Sequence, residues 1–368
     1  MKRLHQTSAA LGALLFAFYG AAFAAPRLPI DDAEVLEVLA VKRGDAVERE
    51  SKALHAALAR APDNAAVAAR VAMLHIARAR TESDPRQLGQ AQAALARWWG
   101  DPDPPFKVLL LRATIRQSNH EFGPALVDLA RATERDPRDA QAWLTLATVQ
   151  LVTGDPSAAR ASCRRLAGLT SALVTVTCLA SVEGATGHAE EASRSLDAVM
   201  RISGGDAPAV RGWAATLQGE LAERLSKPRE AEAYFKQALA LDPRDAYALA
   251  AYCDFLLDQG RPREVLALIP ADSPSDPLFL RYVLAARRAG ADDRQAATAN
   301  LAARFEATRA RGDRVHLREE ARYTLEILQD PKGALALARE NWKIQKEPAD
   351  ARILESARLA SLAPGTGR

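Results

Sequence analysis

Hydrophobic and small residues recur at a fixed spacing between Phe106 and Leu166. Each half of this stretch reads as two short amphipathic helices with small residues where the helices would cross. The same kinds of residue return after 34 positions, as in the pairs Leu109 and Trp143, Ala113 and Ala147, His120 and Gly154, and Ala125 and Ala159. A two-helix repeat of this length predicts a helical solenoid, in which each unit packs on the next.

The turn between the two helices of each unit extends the pattern along the chain. Turn positions fall in steps of 34, 33, 39 and 34 residues, at His120, Gly154, Gly187, Ser226 and Gly260. The long step contains a Gly-rich insertion at 203–208. The segment Asp-Pro-Arg-Asp at 136–139 recurs at 242–245, where proline ends one helix and aspartate caps the next. Across 173–224 the repeat register can be assigned in two ways that differ by one residue.

The unit that closes near residue 243 matches a known repeat pattern. Ala231, Phe235, Ala238 and Pro243 stand where that pattern has an alanine, an aromatic residue, an alanine and a closing proline. At these residues the chain resembles the tetratricopeptide repeat family, well over 63–270 and loosely over 278–362. The resemblance implies an all-α fold, a right-handed superhelical solenoid of antiparallel helix pairs. It also implies that the first helices of successive repeats line a concave, peptide-binding face.

The N-terminus has the pattern of a signal peptide. Lys2 and Arg3 precede an apolar run over 9–24, which ends in the small-residue motif Ala22-Phe23-Ala24. We expect cleavage between Ala24 and Ala25, and therefore a periplasmic or secreted protein with no stable membrane span. The alternative is an uncleaved membrane anchor, although the run is shorter than the about 20 residues that span a bilayer.

Proline and glycine divide the rest of the chain. Pro-rich breaks lie at 101–105 and 272–277, and separate helices are predicted over 46–60, 65–80 and 86–98. The predicted divisions are a signal peptide (1–24), an N-terminal extended segment with helices (25–62), tetratricopeptide-like repeats (63–273), degenerate helical repeats with a capping helix (274–362) and a disordered tail (363–368).

Composition and charge narrow the classes of function. The chain is 48% hydrophobic but only 5% aromatic, which suits thin, closely packed helices. Removal of the signal peptide lowers the formal net charge from +3 to +1, because Lys2 and Arg3 leave with it. Arginines are interspersed with acids instead of clustering, so a nucleic-acid partner is not expected.

Three cysteines occur, at 163, 178 and 253. Cys163 and Cys178 fall on helices of neighbouring repeats, so in an oxidising compartment a disulfide between them is one expectation. The alternative is a pair of buried thiols that serve as small apolar side chains. Cys253 stands at a helix-crossing position and is expected to pack in the core.

No catalytic or cofactor motif stands out. The histidines show no His-x-x-x-His spacing, and no Cys-x-x-Cys occurs, so no metal site is predicted. Serine-hydrolase, phosphate-loop and dinucleotide fingerprints are also absent. Two acidic pairs, Glu190-Glu191 and Glu319-Glu320, are interpreted as solvated helix faces. These observations favour a protein that is not an enzyme.

The adjacent tryptophans Trp98-Trp99 have two interpretations. Neighbouring residues on a helix point in different directions, so both rings cannot easily enter one core. We expect Trp99 to cover the Pro-rich break at 101–105. The alternative is an exposed anchor for a partner.

The 34-residue register identifies candidate residues on the concave face. The main candidates are Lys107, Gln141, Thr148, Trp213, Glu220, Tyr247 and Asp254, accompanied by Leu110, Thr114, Leu144, Thr216 and Ala250. The set lacks the paired Lys and Asn with which members of the family clamp the terminal carboxylate of an acidic tail. Trp213 and Tyr247 instead favour an extended, partly apolar peptide.

The sequence therefore predicts a non-catalytic scaffold that binds a protein or extended peptide, in the assembly of an envelope or secreted complex. Two alternatives stay open. One is a structural homo-oligomer that associates through the end helices, since Ile353, Leu354, Ala357 and Leu359 face more than one way. The other is an accessory subunit that presents a small ligand to an enzyme.

Overall fold

The computed structural model describes residues 46–82 and 84–362. The predicted signal peptide (1–24), its cleavage site, the extended segment that follows it and the tail (363–368) lie outside the described residues. Within the described ranges, no helix is both long enough and apolar enough to cross a membrane.

The described residues form nineteen helices in chain order. These are α1 Ala46–Arg60, α2 Ala65–Glu82, α3 Arg86–Ala94, α4 Ala96–Trp99, α5 Phe106–Ser118, α6 Phe122–Arg135, α7 Ala140–Thr153, α8 Pro156–Arg165, α9 Ala172–Ala185, α10 Ala189–Met200, α11 Pro208–Arg224, α12 Pro228–Leu241, α13 Ala246–Asp258, α14 Pro262–Leu268, α15 Asp276–Ala289, α16 Arg294–Ala310, α17 Leu317–Glu326, α18 Pro331–Ile344 and α19 Pro348–Leu362.

The predicted fold class is confirmed: the described chain is all-α, a solenoid of antiparallel helix pairs. The signals that start and stop the helices are those of the sequence pattern. Asp139, Asp155 and Asp245 cap α7, α8 and α13 by accepting hydrogen bonds from free backbone N–H groups. Prolines occupy the first turns of α8, α12 and α14, where no N–H donor is needed.

The core runs along the stack as successive clusters between neighbouring pairs. Leu109, Leu129 and Leu146 join α5, α6 and α7, and Phe235, Phe255 and Phe279 join α12, α13 and α15. At the crossing of α11 and α12 one side chain is absent. A Cβ atom on Gly219 of α11 would lie 2.7 Å from the buried ring of Phe235. Small residues at the crossings thus set the spacing of the pairs.

One predicted helix is divided. The expected helix over 86–98 breaks at Leu95, whose φ of −99° and ψ of 9° are not helical. The break tightens the turn, because Trp98 N–H donates to the Leu95 carbonyl three residues back at 2.9 Å. Leu95 and Trp98 consequently enter the same buried cluster.

Trp99 is half-buried beside the Pro-rich break, and the guanidinium of Arg116 lies 5.4 Å from its ring centroid. A buried ion pair holds the break itself. Arg112 donates to both carboxylate oxygens of Asp128 at 2.7 and 2.8 Å, and its Nη1 donates to the carbonyls of Trp98, Trp99 and Asp101. The pair therefore connects the break to α5 and α6.

Candidate functional site

A groove with a cavity of about 1050 Å³ lies among the first helices of the later repeats and the C-terminal helices. Its walls come from α9, α11, α13, α15, α17 and α19, with Trp342 of α18. On α13 the residues Tyr247, Ala250 and Asp254 face it at helical spacing, so one stripe of that helix forms the wall. The opposite stripe, which includes Leu249 and Cys253, is buried in the core.

The groove continues into a smaller apolar pocket of about 270 Å³. Helix α7 contributes Leu144, Ala147 and Leu151, and α11 contributes Trp213 and Leu217. The floor includes a disulfide that joins Cys163 of α8 to Cys178 of α9, with 5.6 Å between their Cα atoms. Both cysteines are buried. Because they lie on α8 and α9, the bond links two neighbouring repeats beneath the pocket.

Tyr247 and Glu220 stand where the two cavities meet. The Tyr247 hydroxyl donates to Glu220 Oε1 at 2.7 Å, although 58% of Tyr247 is exposed. Burial raises the pKa of Glu220, and the hydrogen bond from Tyr247 opposes part of that rise. The negative charge of Glu220, together with desolvation of the hydroxyl end of the side chain, raises the pKa of Tyr247 well above its ordinary value. The junction thus offers an exposed aromatic ring anchored at its hydroxyl end.

The far end of the groove is charged. Asp254 receives hydrogen bonds of 2.5 Å from both Arg281 and Arg322. Burial alone would raise the pKa of Asp254, but the two guanidinium groups outweigh it and hold that pKa below its ordinary value. Asp254 therefore stays ionised, and the two arginines are fixed around it.

A short extended segment, Gln345–Glu347, joins α18 to α19 and places Lys346 and Glu347 in the wall of the groove; we refer to it as the strap. The Lys346 N–H donates to the Val152 carbonyl at 2.7 Å, and Lys346 Nζ donates to the Thr153 carbonyl at 2.9 Å. Both carbonyls belong to the last turn of α7. Carbonyl groups in that turn have no hydrogen-bond partner within the helix, and they favour a nearby cation. The lysine stem packs on Gly154, where a Cβ would lie 2.7 Å from its Cδ. The strap is therefore an extended peptide already held by the end of α7.

Asp350 fixes the strap to α19. Its carboxylate accepts from the Glu347 N–H and Asn341 Nδ2, both at 2.8 Å, and side-chain exposure is 0%. Burial raises the pKa of Asp350 to about 6 from 3.8, although attraction to Arg318 opposes the rise.

We expect Asp350 to make the fold more stable at pH 5 than at pH 7. A carboxyl group with a raised folded-state pKa favours the folded chain when protonated, and this contribution is lost as the pH rises through 6. From pH 7 to pH 5 the gain is about 1 kcal/mol. Urea unfolding of wild type and Asp350→Asn at both pH values measures it. The asparagine variant should show less gain on acidification, and equal gains would contradict the assignment.

The interpretation of Glu319-Glu320 as a solvated face is wrong. The two residues are 6% and 8% exposed, at the start of α17. Glu320 pairs with Arg309, and Glu319 lies 3.4 Å from Arg318. Because adjacent helical residues point about 100° apart, each acid reaches a different packed neighbour. For the other acidic pair, Glu190-Glu191, both residues are exposed.

The structure brings five of the seven candidate residues together. Thr148, Trp213, Glu220, Tyr247 and Asp254 line the groove or its apolar pocket.

The other two candidates lie elsewhere on exposed helix surfaces. Lys107 has its Nζ 5.7 Å from the Phe106 ring centroid, and Gln141 donates to the Thr145 hydroxyl at 3.0 Å.

Sequence reasoning missed the C-terminal half of the groove, above all Arg281, Arg318 and Lys346. A signal existed for Arg281, because the 34-residue step that leads from Trp213 to Tyr247 leads on to position 281. The repeat pattern fades after Pro270, so the predicted set of concave-face residues ends at Asp254. Nothing in the repeat spacing points to Lys346, whose partners lie on α7.

The fold and the groove define an all-helical repeat protein. A tetratricopeptide repeat family model matches residues 224–288, a region that contains Ala231, Phe235, Ala238 and Pro243. This match, together with the 34-residue spacing, supports the tetratricopeptide repeat family. No curated protein sequence matches the chain.

Several solved structures are similar in fold. One is a Rap protein complexed with competence and sporulation factor (14% identity, 85% of this chain and 89% of that chain, TM-score 0.49). Another is TTC0263, a tetratricopeptide repeat protein of Thermus thermophilus (22% identity, 55% and 98%, TM-score 0.39). A third is the APC/C hetero-tetramer Cut9–Hcn1 (14% identity, TM-score 0.44), where 84% of this chain spans about half, 52%, of the matched chain. Such repeat folds carry many unrelated ligands.

Proposed function

We propose that the chain is a non-catalytic interaction scaffold that binds an extended segment of a protein partner in the groove. The carrying observation is the junction at Tyr247. There an exposed aromatic ring stands between an apolar pocket of about 270 Å³ and an open groove of about 1050 Å³. Aromatic anchors next to apolar pockets supply most of the binding energy in peptide recognition.

The walls indicate how such a segment would lie. An apolar side chain fits the pocket between Leu144, Trp213 and Leu217, and polar or charged residues on either side meet Arg281 and the acids of the groove. The strap supports this arrangement, because it is itself an extended segment in the groove whose backbone N–H is bound by Val152. A partner segment would approach beside the strap or displace it.

We also propose that the protein works in the periplasm or outside the cell, in the assembly of an envelope or secreted complex. The signal-peptide pattern of residues 1–24 supports export. The Cys163–Cys178 disulfide supports the same compartment, since disulfides persist where the environment is oxidising.

One specific observation favours the alternative function, a structural homo-oligomer. Leu359 and Leu362 on the last helix, α19, are 56% and 68% exposed. A second copy that covered these side chains would remove apolar surface from water. An accessory role toward a small ligand is favoured by the apolar pocket, whose volume is close to the lower end of ligand pockets, about 300–1000 Å³.

A photoreactive residue at position 247 of the exported chain tests the proposal. We expect it to capture one dominant protein, and a photoreactive residue at Ile202 (83% exposed, outside the groove) should not. Trp213→Ala should weaken that binding by about 2 kcal/mol, roughly 30-fold, because it removes an aromatic wall. Circular dichroism checks that the variant folds. Capture of the chain's own copies would instead establish the oligomer, and capture at Ile202 alone would exclude the groove.

A further inference from the structure

Two histidines at the start of the described stack face each other through a pair of ring nitrogens. His55 of α1 and His75 of α2 approach with their Nε2 atoms 3.1 Å apart and their ring centroids 5.1 Å apart. His75 is 6% exposed, whereas His55 is open to solvent. The proposed function does not use either residue.

The other ring nitrogen of each histidine is held by an oxygen atom. His55 Nδ1 lies 2.8 Å from the Ser51 carbonyl oxygen, which can only accept, so Nδ1 carries the proton. His75 Nδ1 lies 2.7 Å from Gln87 Oε1. An amide oxygen can only accept, so His75 Nδ1 also carries its proton.

In its neutral form each ring therefore presents a bare Nε2 lone pair to the other ring. Two lone pairs 3.1 Å apart repel unless a positive centre lies between them. With metal–nitrogen bonds of about 2.0–2.1 Å, two ligand nitrogens lie about 3.3 Å apart on a tetrahedral ion and about 2.9 Å apart on an octahedral one. The observed separation falls between these values.

We propose that His55 and His75 bind a divalent transition-metal ion such as Zn²⁺ or Ni²⁺ through Nε2, and that the ion clamps α1 to α2. Imidazole suits these ions. Metal-binding histidines characteristically donate the second N–H to an oxygen acceptor, and here the Ser51 carbonyl and the Gln87 amide oxygen have that role. In the described chain no third His, Cys, Asp or Glu joins them. Water or a group from outside would complete the coordination through the exposed side.

Calorimetric titration of the full chain with Zn²⁺, Ni²⁺ and Mg²⁺ tests the site. We expect one Zn²⁺ or Ni²⁺ per chain and no Mg²⁺, which prefers oxygen ligands. His55→Ala, at an exposed position that should leave folding intact, should weaken Zn²⁺ binding more than about tenfold. Gln87→Leu should weaken it about 10- to 100-fold by releasing the second nitrogen of His75. His188→Ala, at an exposed histidine in the turn between α9 and α10, is the matched control.

Nitrogen NMR of histidine-labelled protein gives a second readout. The proposal requires both Nε2 atoms to be unprotonated without metal and to shift on adding Zn²⁺. A shared proton is the other positive centre that the geometry admits. Protonation of one Nε2 with no response to Zn²⁺, or unchanged Zn²⁺ affinity in His55→Ala, would overturn the proposal.

Discussion

Replacing Asp128 with asparagine is expected to lower the free energy of unfolding by about 3–5 kcal/mol. Asp128 and Arg112 are 2% and 3% exposed at their side chains, and Arg116 donates to the same carboxylate at 2.7 Å. Loss of the carboxylate charge leaves Arg112 buried without a counter-charge, and an uncompensated buried charge is far more costly than a lost surface contact. Urea denaturation followed by circular dichroism measures the change.

The exposed pair Glu355–Arg358 on α19 supplies the matched control. Its side chains are 54% and 47% exposed, so Glu355→Gln should change stability by less than about 0.5 kcal/mol. The double change Arg112→Met, Asp128→Leu should recover part of the loss, since it removes the buried charge of Arg112 together with the carboxylate and leaves only Arg116, which is 17% exposed, without that partner. Recovery should be incomplete, because the carbonyls of Trp98, Trp99 and Asp101 lose their donor. A loss below about 1 kcal/mol in Asp128→Asn would show that the pair does not hold the Pro-rich break.

The helices could be predicted because their signals are local. The predicted helix over 46–60 coincides with α1, and the predicted helix over 65–80 ends two residues before α2 does. Aspartate caps, prolines and the 34-residue spacing act within one repeat or between neighbours, so a single sequence displays them. The same spacing places Tyr247 and Asp254 on one stripe of α13, which is why this part of the groove wall could be predicted from the sequence.

The remaining features depend on contacts between distant parts of the chain. Lys346 and Thr153 are 193 residues apart, and their meeting depends on the cumulative geometry of the intervening repeats. The repeat spacing alone does not determine this cumulative geometry. The prediction that Glu319 and Glu320 are solvated fails for a related reason. Helix α17 has neighbours on more than one side, and each acid pairs with an arginine. Burial of paired charges is set by tertiary context, and composition alone assigns them to the surface.

Removal of the disulfide by Cys163→Ala with Cys178→Ala is expected to cost about 2–4 kcal/mol. The bond closes a loop between residues 15 apart, and a loop of that length restricts the unfolded chain by about 3 kcal/mol. Unfolding of wild type in the presence of a reductant should show a similar loss. Cys253→Ala, which removes a buried free thiol, should cost less than the double change because only a small side chain is lost from the core.

The disulfide also bears on the groove, because Cys163 and Cys178 form the floor of its apolar pocket. Breaking the bond releases α8 from α9 beneath Trp213, so the double alanine variant should lose partner affinity as well as stability. A thiol assay in denaturant separates the two states, with one free thiol per chain when the bond is present and three when it is reduced. Three reactive thiols in protein purified from an oxidising compartment, with a stability that a reductant does not change, would contradict the bond. If the bond forms as the structure shows, protein made in a reducing cytosol should bind the partner more weakly than exported protein. The proposed compartment and the proposed function are thus linked through one covalent bond.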